Sequence, residues 1–123
     1  MSNLATSVFP GVHGDEVPAA SRPILEKVRK SFGFVPNLFA TFANSPTLLE
    51  GYLTLDGVFS KASLSPAERQ LVLLTASVAD ECAYCTAAHS TVAKGMLKVP
   101  GAVVAAVRAG QPVEIDAPFR SEA

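Results

Sequence analysis

The chain has no long hydrophobic run, no excess of either charge and only two cysteines and two histidines, and each shortage excludes something. Its longest apolar stretch, Leu71-Val72-Leu73-Leu74-Thr75-Ala76-Ser77-Val78-Ala79, ends at Asp80-Glu81, well short of the ~20 residues that a bilayer crossing needs. Ten basic and eleven acidic residues leave a net charge of −1. With a pI near 6.1, nothing in the charge balance favours nucleic acid or an anionic membrane as partner. The opening residues Met1-Ser2-Asn3-Leu4-Ala5-Thr6 lack the basic and apolar regions of a secretory signal, so a cytoplasmic protein is expected. Strand-like alternation, tandem repeats and low-complexity segments are missing too. No Gly-x-Gly-x-x-Gly follows a strand and no Cys-x-x-Cys-His occurs, so no haem, flavin or nicotinamide cofactor is expected.

What is plentiful is apolar. Of 123 residues, 49% are hydrophobic, and the mean hydropathy is +0.31. A chain of this length makes one domain, residues 1–123, with no room for two cores. So much apolar surface is hard to hide within one small chain, and burial between subunits of a homo-oligomer is the simplest resolution.

The hydrophobic period is helical throughout, which predicts an all-α fold of about six helices joined by short loops. An extended arm at 1–16 precedes a helix from about Pro18 to Ser31, striped by Ile24, Leu25 and Val28 and closed by Gly33. Pro36 opens a short helix through Phe42. Ser45 and Pro46 open the next, which carries Leu48, Leu49, Tyr52, Leu53, Leu55 and Val58 to about Lys61. Ser65-Pro66-Ala67-Glu68 forms a capping box, and the helix it opens is apolar almost all round, so it is placed in the centre of the core. Asp80 or Glu81 is expected to open a helix running to about Leu97. Pro100-Gly101 begins the last helix, Ala102 to Arg108, which is closed by Gly110 and followed by a poorly ordered tail from Gln111.

Both cysteines and one histidine fall within eight residues, Cys82-Ala83-Tyr84-Cys85-Thr86-Ala87-Ala88-His89. On a helix, at ~100° per residue, Cys85 lies about 60° from Cys82, and His89 about 20° from it one turn further on. Two thiols and an imidazole on one face can exchange protons and close a disulfide. In a reducing cytosol such a pair suits a transient or catalytic disulfide better than a structural staple. The thiolate is the reactive form, favoured by a helix N-terminus and by a protonated His89. Asp80 and Glu81 disfavour it at Cys82. Cys85 is therefore the expected first nucleophile, with Cys82 resolving its sulfenic acid. Zinc competes for the same side chains, but this spacing stretches over more than ~10 Å of helix, too far for one tetrahedral ion.

These residues resemble the carboxymuconolactone decarboxylase/AhpD-like superfamily, in particular its alkylhydroperoxidase D-like, peroxidase-related branch. Three segments between residues 34 and 97 carry the resemblance: Phe34-Val35-Pro36-Asn37-Leu38-Phe39 with Ser45-Pro46, Leu64-Ser65-Pro66-Ala67-Glu68-Arg69-Gln70, and the Cys82–His89 motif. It implies an all-helical fold assembled as trimers or hexamers. It also implies thiol-dependent reduction of hydroperoxides, or of the disulfide of a partner peroxiredoxin, with electrons from a dithiol such as a dihydrolipoyl group or from a small redox protein. By the same resemblance Cys85 is oxidised to the sulfenic acid, Cys82 gives a proton and resolves it, and His89 relays protons from a glutamate twelve residues before the first cysteine.

That position is Gln70 here, and an amide cannot exchange a proton at neutral pH. Glu68 lies two residues away, about 200° round the helix, and is expected chiefly as the capping carboxylate. Tyr84 stands where many relatives have a second histidine, and many relatives continue beyond Gly110 with further helices. Cys85, Cys82, His89, Gln70 and Glu68 make up the candidate site. Two other functions stay open: a carboxymuconolactone decarboxylase-type lyase, whose relatives do not rely on the cysteine pair, and a non-catalytic redox-sensing module, which Gln70 keeps in view.

Overall fold

Proline and serine at helix starts, and left-handed residues at helix ends, divide this chain into its elements. The structure, a computed structural model, describes residues 9–113. Residues 1–8 of the expected arm and 114–123 of the expected tail lie outside them. Among the described residues there are six α-helices and no strand: α1 Arg22–Phe32, α2 Asn37–Phe42, α3 Pro46–Phe59, α4 Pro66–Ala79, α5 Ala83–Thr91 and α6 Gly101–Arg108. Short 3₁₀ turns at Gly14–Glu16 and Ala19–Ser21 precede α1, so the first α-helix begins later than the sequence suggests. A π-helical stretch, Val92–Met96, follows α5. No helix among the described residues is long and apolar enough to cross a membrane.

The packing divides into two compact units, one up to Phe59 and one from Ser60. In the first, Val17, Leu25, Val28, Phe39, Ala43 and Leu49 form the core, with Tyr52 packed against it. The Tyr52 ring meets Phe39 and Phe42 edge-on, with centroids 5.8 and 5.2 Å apart, an arrangement that adds to simple burial. Gly33 closes α1 in the left-handed region at φ 82°, donating to the Arg29 carbonyl. The described part of the arm is held more firmly than its Pro and Gly content suggests. The Val12 amide donates to the Ala40 carbonyl (3.1 Å), and Asn44 Nδ2 donates to the Pro10 carbonyl (2.7 Å).

In the second unit α4 packs against α5, the π-helical stretch and α6, around Leu71, Leu74, Ala93, Val99 and Val104. Ser65 caps α4 as expected, its Oγ accepting the Glu68 amide at 3.1 Å. The return bond from the Glu68 carboxylate that would complete the box is not formed among the described residues. The expectation that α4 is buried all round is corrected. Leu71, Leu74 and Ser77 are buried, but Val72 is 48% exposed, and Ala76 and Ala79 face solvent. The layer around α4 covers only one side, so part of its apolar surface is left over.

Candidate functional site

The corner between α4 and α5 decides where the two sulfurs sit. The Cys82 amide donates to the Ser77 carbonyl (3.0 Å) and the Glu81 amide to the Val78 carbonyl (3.1 Å), the paired bonds of a Schellman closure. Such a closure needs a left-handed residue at its hinge, usually glycine. Here it is Glu81, at φ 55°. A non-glycine residue in that region is strained by roughly 1–2 kcal/mol, and this strain is stored directly beside the motif.

Cys82 is thus the residue after a finished helix as well as the N-cap of the next. Its backbone is extended (φ −87°, ψ 100°), and its Sγ accepts the Cys85 amide at 3.2 Å. Two expectations are corrected here. The motif helix opens at Ala83, not at Asp80 or Glu81, and Cys82 lies off the helix face it was expected to share. Asp80 is used up as the C-cap of α4, so the capping role falls to a sulfur. The far end changes too. Beyond Thr91 the helix widens into π-helical turns, the Leu97 amide reaching back five residues to the Val92 carbonyl.

Cys82 and Cys85 are joined by a disulfide, with Cα atoms 5.3 Å apart. Extended backbone at one cysteine and first-turn backbone at the other bring the two Sγ atoms together, which the same spacing within a regular helix does not do. His89 follows Cys85 by four residues, so the two lie on the same side of α5, about 40° apart.

From α4, Gln70 reaches across to His89. Its Oε1 lies 3.0 Å from His89 Nδ1. With the amide oxygen as acceptor, Nδ1 carries the ring proton and Nε2 keeps the basic lone pair. Gln70 thus selects a tautomer although it cannot itself exchange a proton. The structure brings together Cys82, Cys85, His89 and Gln70. It does not bring in Glu68: among the described residues its carboxylate makes no hydrogen bond to His89 or to either cysteine. Tyr84 is 44% exposed on the first turn of α5.

A feature not anticipated from the sequence is an open cleft on the Cys82 side of the disulfide, lined by Val78, Glu81, Cys82, Ala83, Thr86 and Arg108. Arg108 comes from the end of α6, with no local pattern linking it to the motif. Among the described residues, no group of three or more His, Cys, Asp and Glu side chains is arranged to hold a metal ion.

A family model described as the carboxymuconolactone decarboxylase family matches residues 46–117. The match covers α3 to α6 and every residue of the site. Comparison with curated proteins finds no match. A family match over more than half of the chain, on an all-helical fold with the cysteine pair at a helix N-terminus, places the protein: it belongs to the carboxymuconolactone decarboxylase family.

Proposed function

We propose that this protein is a thiol-dependent hydroperoxide reductase, working through the Cys82–Cys85 pair as members of the alkylhydroperoxidase D-like branch do. The observation that carries this reading is the disulfide across the N-terminus of α5, with His89, held by Gln70, one turn from Cys85. In the reduced protein the Cys85 thiolate attacks the terminal peroxide oxygen. The O–O bond breaks, the alcohol leaves with a proton relayed by His89, and Cys85 becomes a sulfenic acid. Cys82, held by the Cys85 amide, attacks that sulfur and expels water, closing the disulfide. Two electrons from a dithiol or a small redox protein return the pair to thiols, a cycle suited to a reducing cytosol.

Reduced protein treated with one equivalent of cumene hydroperoxide should lose two thiols per chain as one peroxide is consumed. Thiols that survive excess peroxide would overturn the reading.

Gln70 sets the rate in this scheme. A carboxylate accepting from Nδ1 stabilises the imidazolium that forms when Nε2 takes a proton, which a neutral amide does far less well. Gln70→Glu is therefore expected to raise peroxide turnover by about tenfold, read from initial rates with the disulfide reductant in excess. Gln70 is also the feature that favours a second reading, a redox-sensing module. That reading requires the oligomeric state to change when the pair is oxidised.

The subunits assemble in this proposal as a trimer or hexamer. Support comes from the apolar side chains left on the surface. On α3, Leu48, Leu55 and Val58 are all more than half or about half exposed, and with Gly51 they fall on one stripe at i, i+3, i+7 and i+10. Large contiguous apolar patches are uncommon on monomers. Sedimentation is expected to give three or six times the 12.8 kDa chain mass; a monomer would refute the assembly.

A further inference from the structure

We propose that the left-handed backbone of Glu81 tunes the Cys82–Cys85 couple, straining the disulfide form more than the dithiol form and so making the pair easier to reduce. Glu81 is then a positioning residue that acts through Cys82. The proposal rests on the redox reading above and adds what sets the equilibrium of that pair. It starts from a difference among the helix ends. α1 and α6 close on Gly33 (φ 82°) and Gly110 (φ 68°), where glycine adopts the conformation freely, but α4 closes on Glu81 (φ 55°). A non-glycine residue is disfavoured there by roughly tenfold in population, and it persists only where the surrounding structure over-determines it.

Cys82 supplies that over-determination. Its amide donates to the Ser77 carbonyl in α4 (3.0 Å), and its carbonyl accepts the Thr86 amide in α5 (2.9 Å). Its Sγ is bonded to that of Cys85. The left-handed turn at Glu81 aims Cys82 from the end of one helix at the start of the other. With the disulfide closed, a covalent bond pins Cys82 to the first turn of α5 and holds Glu81 left-handed. With the disulfide open, only hydrogen bonds hold the corner. Asp80 and Glu81 are exposed, so water competes for those bonds and their net contribution is small. The dithiol form therefore reaches right-handed conformations at Glu81 that the disulfide form does not, and the strain weighs against the disulfide. Strained disulfides are the readily reduced ones.

Lys98 provides an internal control. Among the described residues it is the other non-glycine residue at positive φ (54°). It lies at the end of the π-helical stretch, where the Val99 amide donates to the Ala93 carbonyl (2.8 Å). Lys98 is exposed like Glu81, but no disulfide adjoins it. Relief of strain at either position stabilises the fold, and only relief at Glu81 bears on the couple.

The test equilibrates the full-length protein, without peroxide, in graded mixtures of reduced and oxidised glutathione. As the protein disulfide closes, the two cysteines give two electrons and two protons to oxidised glutathione, which leaves as two molecules of the reduced form. Glu81→Gly is expected to shift the constant about three- to tenfold toward the disulfide, tenfold being about 30 mV for this two-electron couple. Glu81→Asn, which tolerates the left-handed region better, should fall between. Glu81→Gln removes the charge but keeps the strain, and should stay within about twofold of the unaltered protein. Lys98→Gly should leave the constant unchanged while raising the urea midpoint as Glu81→Gly does. An unmoved constant in Glu81→Gly, or an equal shift in Lys98→Gly or Glu81→Gln, would overturn this proposal alone, because the thiols would still react with peroxide. A pair that excess oxidised glutathione leaves reduced would overturn the redox reading with it.

Discussion

Cys85→Ser is expected to lower hydroperoxide consumption by at least about a thousandfold, because a serine hydroxyl beside the same histidine is a far weaker nucleophile toward peroxide oxygen. Cys82→Ser is expected to behave differently. With Cys85 intact, the reduced protein should still consume one peroxide per chain and then stop at the sulfenic acid, since no second thiol is present to expel water. The pair of variants therefore separates attack from resolution. Mass spectrometry after one equivalent of cumene hydroperoxide should show one added oxygen on the Cys82→Ser chain and none on the Cys85→Ser chain. The reverse pattern would exchange the two roles, and full turnover by Cys85→Ser would remove Cys85 and the disulfide from the mechanism.

The exchange of roles has a physical basis worth testing. The Cys85 amide points at Cys82 Sγ, and such a donor at a helix N-terminus favours negative charge on the sulfur it touches. Glu81, lining the cleft on that side, opposes it. Cys85 has His89 one turn away as its proposed proton partner, and the assignment of first attack to Cys85 depends on that pairing outweighing the amide.

Leu74→Ala should produce the largest loss of stability, about 3 kcal/mol, within the 2–5 kcal/mol seen for leucine truncations in cores. Leu74 is fully buried among Leu71, Ala93, Val99 and Val104, and these neighbours sit on four separate segments that cannot easily close on the hole. The urea midpoint should fall accordingly while Val72→Ala, on the same helix but 48% exposed, shifts it by less than about 0.5 kcal/mol. Leu74 also lies one turn after Gln70 on α4, so a loosened seat for Leu74 loosens the donor–acceptor contact with His89. Peroxide turnover should fall in Leu74→Ala even at temperatures where the protein remains folded. Equal losses from both variants would mean that α4 is not anchored through Leu74.

Helix starts were legible because their signals are local. Pro46, Ser65-Pro66 and Pro100 act within one turn, through a fixed φ or a side chain bonded to a nearby amide. All three mark observed boundaries, and Gly110 closes α6 at φ 68° as expected. The motif corner was misread for the same reason. Asp80 resembles an N-cap, and no glycine announces that the chain turns left-handed at Glu81. The closure depends on the Ser77 and Val78 carbonyls accepting bonds from Cys82 and Glu81, and no residue type in the corner advertises them.

By itself, the sequence determined the all-helical class, most helix boundaries, and the presence of two cysteines and a histidine on one short segment. Those properties follow from backbone preferences and periodicity, which act over a few residues. Tertiary structure decided that Cys82 caps α5 from outside it, that Gln70 holds His89 across nineteen positions of sequence, that Glu68 stays out of the site, and that Arg108 borders the cleft beside the disulfide. Each of these depends on how α4, α5 and α6 lie against a shared core. Such packing is settled by the burial of Leu71, Leu74, Ala93, Val99 and Val104 together, a collective balance of volume and exposure that no single stretch of sequence carries.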